Sequence, residues 1–168
     1  YSLSRFITQF ADVVRIPSPT LAPVCLDELV LSCKRFMETI CMDRHIRIHL
    51  DLAPSLAPVH LDRALFEQVL LNIIKNAAES IGNDGDIYIR TTPSPVCLEI
   101  ADTGRGLTPE VSAKLFTPFF STKPDGQGIG LMFIREVLTQ HRCTFSLRTD
   151  DDHLTRFRIW FEEEANGR

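Results

Sequence analysis

Residues 102–131 read DTGRGLTPEVSAKLFTPFFSTKPDGQGIGL and hold five of the chain's eight glycines. These form an early pair and a late triplet, namely Gly104, Gly106, Gly126, Gly128 and Gly130. The triplet runs into an apolar pattern of helical spacing that extends to Leu138, so a glycine-rich backbone opens a helix. Glycines allow a ligand to approach closely, and the free N–H groups at a helix start attract negative charge. The stretch predicts a bound phosphate.

Two common nucleotide motifs are absent from the sequence. It contains no G-x-x-x-x-G-K-[ST], and its glycine triplet is spaced G-x-G-x-G, whereas the dinucleotide fingerprint is G-x-G-x-x-G. The phosphate site therefore belongs to neither the P-loop nor the Rossmann class.

A predicted helix from Asp62, as its N-cap, to Ile81 carries a second set of polar residues. Gln68, Asn72, Asn76 and Glu79 recur at steps of four, four and three, so they share one face. A solvated stripe would explain Gln68 and Glu79 equally well. Asparagine is a poor helix former, however, and an amide oxygen is a suitable ligand for Mg²⁺ whose other ligands are waters and phosphate oxygens.

Asp102 ends a predicted strand and precedes the first glycine pair. Such a residue is often only a turn-initiating side chain, but beside a nucleotide it could accept from an exocyclic amino group and select adenine over guanine.

Phe116, Phe119 and Phe120 could be core aromatics or the anchors of a mobile flap. Lys123 could contact phosphate or be a solvated loop charge.

Composition narrows the class of protein. Of 168 residues, 44% are apolar and 24% are charged, which is typical of a globular chain, and the net charge of −4 gives no sign of nucleic-acid binding. The five cysteines form no Cys-x-x-Cys pair and predict neither disulfides nor a zinc site.

Because no signal peptide or membrane-spanning run is visible, we expect a cytoplasmic chain. It begins at Tyr1 rather than Met, which suggests a fragment whose upstream part could carry a membrane anchor.

The order of elements predicts one α/β domain. An amphipathic helix over 1–16 and a proline-containing linker over 17–25 precede a domain over 26–162, and a tail covers 163–168. The first domain helix, from Leu26 to Arg44, is expected to bury Leu26, Leu29, Val30, Cys33, Phe36, Met37 and Ile40. Strands and helices mix without regular βαβ alternation, which predicts an α+β two-layer sandwich: a mixed, mostly antiparallel sheet with three main helices on one face.

Four segments together resemble one family. They are NIIKNAAES (72–80), DTGRGL (102–107), LFTPFFSTK (115–123) and GQGIGL (126–131), and in order and spacing they are similar to the N, G1, F and G2 boxes of sensor histidine kinases, in particular the nitrogen-regulation and oxygen-sensing branch. The resemblance implies the catalytic ATP-binding domain of the Bergerat fold, with ATP and Mg²⁺ held between the helices and a flexible lid. It covers about residues 26–161.

The resemblance also implies roles for individual residues. Asn76 matches the Mg²⁺-binding asparagine and Asp102 the adenine-binding aspartate. Asn72 stands where water-activating relatives carry glutamate, which is consistent with transfer to a protein. The remaining nucleotide-binding candidates are Lys75, Gly104, Gly106, Thr122, Lys123, Gly126, Gln127, Gly128, Ile129, Gly130, Leu131 and Thr155. The chain departs from the family pattern at two places. Leu154 replaces the glycine that precedes the final threonine, and His141-Arg142-Cys143 stands where relatives often have a Gly-Gly turn.

The phosphoacceptor histidine of such kinases is expected outside this chain. None of its five histidines has the following acid and proline, and residues 1–16 resemble the end of the dimerisation hairpin that bears that histidine. The implied partners are this hairpin and the receiver domain of a response regulator; the fragment is expected to be monomeric and the full-length protein homodimeric. Three alternatives remain open: an ATPase of the same superfamily, a serine/threonine kinase of the anti-sigma type, and a non-catalytic nucleotide-sensing or scaffold module.

Overall fold

A computed structural model describes residues 16–116 and 129–162, apart from the side chain of Ile129. Its strands are β1 (Ala22–Val24), β2 (Ile46–Asp51), β3 (Val59–Leu61), β4 (Gly85–Pro93), β5 (Val96–Asp102), β6 (Thr144–Thr149) and β7 (Thr155–Trp160). Its helices are α1 (Leu26–Asp43), α2 (Arg63–Ile81), α3 (Pro109–Lys114) and α4 (Ile129–Gln140). The predicted helix over 1–16, except its last residue, and the tail over 163–168 lie outside the described residues.

The predicted sheet is confirmed. Five strands run in the order β2-β4-β5-β7-β6; β2 is parallel to β4, and the other three pairs are antiparallel. The long helices α1, α2 and α4 lie side by side, with α2 in the middle and packed on β4 and β5. A single apolar core lies between these helices and the sheet, so one face of the sheet carries the helical layer.

Helix α2 begins and ends where its sequence predicts. The Asp62 carboxylate accepts the N–H of Leu65 at 3.2 Å and caps the first turn. Gly82 ends the helix with a positive φ of 77°, which glycine adopts without steric cost. The face turned to the core is fully apolar and consists of Phe66, Val69, Leu70, Ile73, Ile74, Ala77 and Ala78. Because this face is fixed, the opposite flank with the two asparagines is fixed as well.

The other face of the sheet carries ion pairs, and none of the described helices packs on it. Glu99, only 8% exposed, accepts from Arg158 Nε at 2.9 Å and lies 3.6 Å from Arg156 Nε. Arg156 also binds Asp150 and Asp152 in the acidic turn between β6 and β7, at 2.7 and 2.6 Å. The hairpin that closes the sheet is thus joined to the middle strand through charged side chains.

Two predicted segments differ from the structure. Residues 17–25 are not wholly a linker, because β1, which lies within them, pairs antiparallel with β3. The predicted core face of α1 is also partly wrong: Phe36 is 68% and Ile40 44% exposed. Helical spacing included these residues because they flank the apolar stripe, but the helical layer ends at α1 and nothing described covers that flank.

This difference predicts opposite outcomes for neighbouring residues. Met37 is 3% exposed, and Met37→Ala is expected to destabilise the domain by about 2–4 kcal/mol because it leaves a cavity. Phe36→Ala removes a larger side chain but is expected to change the free energy of unfolding by less than about 0.5 kcal/mol. Urea unfolding followed by circular dichroism measures both. Equal losses in the two variants would show that Phe36 is buried after all.

Candidate functional site

Three polar residues form a row at one end of the sheet. Asp102, the last residue of β5, pairs with Thr155 on β7, and Thr155 pairs with Thr149 on β6. The two threonine hydroxyls are 2.7 Å apart. Residues paired across strands point to the same face, and Asp102 also pairs with the fully buried Ile87. The row therefore faces the helical layer.

Asp102 is a buried carboxyl group with few polar neighbours. It is 6% exposed, and its Oδ1 accepts the N–H of Gly104 at 2.8 Å. Burial raises the pKa of Asp102 to about 6, against the smaller lowering effect of the Gly104 hydrogen bond. The predicted turn-initiating role is thus real, but a turn alone does not require a buried carboxylate. A ligand that donates a hydrogen bond would stabilise a carboxylate in this buried environment.

The loop after Asp102 is pressed against the end of α2. The N–H of Arg105 donates to the carbonyl of Ser80 at 3.3 Å. A methyl group added at Gly104 would collide with Ser80 Oγ and would lie 2.7 Å from Asp102 Oδ1 and 2.8 Å from the Ser80 carbonyl carbon. Gly106 has a positive φ of 80°. Both glycines of the first pair are therefore required by the backbone, one for space and one for conformation.

The flank of α2 beside this loop bears the predicted amides. Asn72, Asn76 and Glu79 are half-buried, whereas Gln68 and Lys75 are exposed. A position three to four residues along a helix is one turn away, so Asn72, Asn76 and Ser80 follow one another toward the Gly104 loop. The structure thus brings Asn76 and the Asp102 loop to the same end of α2, while Gln68 lies two turns away.

The late glycine triplet is described only in part. As predicted, helix α4 begins at the triplet: Ile129 is its first residue, Gly130 is exposed and Leu131 is half-buried. Thr122, Lys123, Gly126, Gln127 and Gly128 lie outside the described residues, as do Phe119 and Phe120. Phe116 packs edge-on against Phe145 and Phe157, at 5.3 and 6.3 Å between ring centroids, as a core aromatic would.

Two residues that shape the site, Thr149 and Ser80, were not predicted from the sequence. Thr149 Oγ1 accepts the N–H of Leu107 at 2.7 Å and so holds the loop that follows Gly106. Ser80 supplies the surface against which Gly104 packs. Thr149 acts through the register of the sheet, and Ser80 acts through a tertiary contact with the Gly104 loop. The sequence showed only that Ser80 follows the polar flank of α2, and it gave no sign of a role for Thr149.

Asp102 also makes the stability of the domain depend on pH. A carboxyl group whose pKa rises from 3.8 to about 6 on folding stabilises the native state below pH 4, and this contribution is lost as the pH rises through 6. Asp102→Asn lacks it, so the variant is expected to gain up to about 3 kcal/mol relative to wild type between pH 4 and pH 7. Urea unfolding of both proteins at the two pH values measures the change. A difference that stays constant with pH would contradict the raised pKa.

Residues 61–165 match the model of a family described as "Histidine kinase-, DNA gyrase B-, and HSP90-like ATPase". The fold and the site thus define a domain of this ATPase class, and the chain belongs to this family. No helix within residues 16–116 and 129–162 is long and apolar enough to cross a membrane.

The similar proteins within this class are histidine kinases. Sensor histidine kinase ZraS of Salmonella typhimurium is 27% identical over 161 residues, which are 94% of this chain and 35% of ZraS. The catalytic domain of histidine kinase ThkA, in a nucleotide-free form, superposes with a TM-score of 0.76 at 25% identity over 83% of this chain and 93% of that one. ThkA in complex with the response regulator TrrA gives a TM-score of 0.75 at 21% identity, covering 99% of this chain and 48% of that one. The chain therefore spans about a third of ZraS but nearly all of an isolated kinase catalytic domain.

Proposed function

We propose that this chain is the catalytic ATP-binding part of a sensor histidine kinase, which binds Mg²⁺·ATP and presents the γ-phosphoryl group to a histidine. The observation that carries the proposal is Asp102: a carboxyl group 6% exposed, at a strand end, beside two glycines that the backbone requires. One of its oxygens accepts from Gly104, and the other can accept from the amino group of adenine. Guanine presents a carbonyl oxygen at the corresponding position and would face that carboxylate with a lone pair.

The donor set near Asn76 suits a metal that arrives with the nucleotide. The described residues include no group of three or more His, Cys, Asp or Glu side chains that could hold a metal by themselves. A half-buried amide on α2 provides one neutral oxygen, and Mg²⁺ commonly takes its remaining ligands from phosphates and water. Asn76 would hold the ion, which when bound neutralises phosphate charge and orients the triphosphate.

The other site residues position the nucleotide. Gly104 and Gly106 give the loop the packing and the backbone conformation that hold Asp102 in place for the base. Thr155 lies next to Asp102 in the same row of the sheet. Ile129, Gly130 and Leu131 form the first turn of α4, whose free N–H groups can donate to phosphate. We assign phosphate binding also to Gly126, Gln127 and Gly128, which precede this turn in the sequence. Thr122, Lys123 and Lys75 supply further polar contacts. Asn72 offers an amide where a carboxylate would activate water, which favours transfer over hydrolysis.

The acceptors lie outside this chain. We assign residues 26–162 to the ATP-binding domain, 17–25 to the segment that leads into it, 1–16 to the end of a dimerisation hairpin and 163–168 to a tail. The hairpin histidine, from the same or a partner chain of a homodimer, takes the phosphoryl group and passes it to a response-regulator aspartate. The ThkA complex with TrrA supports a partner of that kind. The domain contributes positioning and charge neutralisation, since the histidine is the nucleophile.

Calorimetric titration tests the proposal. ATP and ADP are expected to bind the whole chain at least about tenfold more tightly than GTP, and ATP binding is expected to strengthen with Mg²⁺. Asp102→Asn should reduce the preference for adenine, because its amide N–H₂ opposes the amino group. Equal affinity for ATP and GTP in the wild type would overturn the role of Asp102, and no nucleotide binding would favour a scaffold. A substantial ATPase rate without any acceptor would favour the superfamily ATPase.

A further inference from the structure

His141 joins the end of α4 to the beginning of α2 through both nitrogens of its ring. The backbone N–H of Asp62 donates to Nε2 at 2.9 Å, and Nδ1 lies 2.7 Å from the carbonyl oxygen of Val137. The ring also meets Phe66 edge-on, with 5.1 Å between centroids. Because Asp62 is the N-cap of α2, this side chain connects the helix that follows the glycine triplet to the helix that carries Asn72 and Asn76.

These contacts admit one protonation state of the ring. An amide N–H can only donate, so Nε2 must be the unprotonated acceptor. A carbonyl oxygen can only accept, so the ring proton is on Nδ1 and is donated to Val137. In both the Nε2–H tautomer and the imidazolium, the ring Nε2–H would face the backbone N–H of Asp62, and two donors would oppose each other. His141 is therefore the neutral Nδ1–H tautomer in this structure.

The backbone around His141 is held in a defined geometry. The N–H of Arg142 donates to Thr139 O at 3.0 Å, and the N–H of Cys143 to Leu138 O at 2.9 Å, which is the Schellman pattern of a helix end. Arg142 takes the left-handed position of this motif with φ of 58°, a conformation that favours glycine. The adjacent Cys143 is buried. The motif thus fixes the residue from which the imidazole reaches Asp62.

We propose that His141 is a positioning residue for the nucleotide site: its neutral ring fixes α4 against α2. It thereby sets the distance between the first turn of α4, which contains Gly130, and Asn76 on α2. Loss of the tie would let the two helices shift relative to each other while the core between them stays closed. The proposal rests on the proposed function only in naming the nucleotide as what is positioned.

Two amide variants separate the contacts of the ring. In His141→Gln the Oε1 atom can reach the position of Nε2 and accept from Asp62, whereas in His141→Asn the Nδ2 atom can replace only Nδ1. The Asn variant is expected to bind Mg²⁺ with a non-hydrolysable ATP analogue about tenfold more weakly than wild type, since the Asp62 N–H loses its acceptor. The Gln variant should stay within about threefold. Both are measured by calorimetry at a temperature where circular dichroism shows them folded. Wild-type affinity in the Asn variant would overturn the proposal, as would equal losses in both variants.

Nitrogen NMR of the wild-type imidazole provides a test that needs no variant. At pH 7.5 we expect the chemical shifts of a protonated Nδ1 and an unprotonated Nε2. An Nε2–H tautomer or a charged ring would overturn the proposed tie. Exchange of the Asp62 amide hydrogen should be faster in the Asn variant than in the Gln variant. If the wild type bound no nucleotide, the proposed function would fail, whereas the tautomer and the exchange rates would still show whether the tie exists.

Discussion

Asn76→Asp is expected to lower phosphoryl transfer from ATP by at least about a thousandfold, because the change acts on the charge around the triphosphate. Asn76 lies on the half-buried flank of α2, at the end near the Asp102 loop. An aspartate of nearly the same size adds a negative charge there. It would hold the metal more tightly while repelling the phosphates that the metal must neutralise. The folded state should persist, since the position is not in the apolar core.

Transfer is measured with labelled ATP and a dimerisation hairpin supplied as a separate polypeptide. Gln68→Glu is the matched control, because it adds the same charge to the same helix at an exposed position two turns away. It is expected to leave transfer within about twofold of wild type, since exposed charges at that distance are largely screened. If Asn76→Asp transferred phosphate at the wild-type rate, Asn76 would have no role at the metal. Equal losses in both variants would point to a general charge effect.

The sequence predicted the elements of this site because each depends on local chemistry. The N-cap at Asp62 and the helix end at Ile81 both depend on chemistry within a few residues, and the structure has each in its predicted place. The alternating pattern of β5 likewise predicted that Asp102 ends a strand. The amide flank of α2 follows from helical periodicity, because the face that is buried determines which residues lie away from the core.

What could not be predicted depends on contacts between distant segments. Thr149 and Thr155 meet Asp102 only through the register of three strands, and no periodicity within one strand reveals its partner. Phe36 fits the apolar stripe of α1 but is exposed, because α1 is the last helix of the layer within the described residues. The β1–β3 pair was missed because each strand has only three residues, and prolines at Pro23 within β1 and Pro58 before β3 indicate a loop rather than a strand. His141 showed no ligand-like spacing, and its role appears only once α2 and α4 are adjacent.

Gly104→Ala is expected to destabilise the domain by about 2–3 kcal/mol and to weaken ATP binding strongly. The new methyl group would collide with Ser80 Oγ and crowd two atoms that cannot rotate away easily. These are Asp102 Oδ1 at 2.7 Å and the Ser80 carbonyl carbon at 2.8 Å. Relief requires the loop to move off the end of α2. That movement breaks the hydrogen bond from Gly104 to Asp102 and shifts the carboxylate proposed to recognise adenine.

Gly130→Ala is the matched control for Gly104→Ala. No atom of the described residues lies within 4 Å of the added methyl group, and the position is in the first turn of α4, so stability should be unchanged or rise by up to about 1 kcal/mol. Urea unfolding and calorimetry with ATP separate the two effects. A Gly130→Ala domain that is stable but binds ATP poorly would mean that phosphate needs the space at that glycine. A Gly104→Ala domain as stable as wild type would show that the loop is not packed on Ser80, and the described site would then lose the contact that holds Asp102 beside α2.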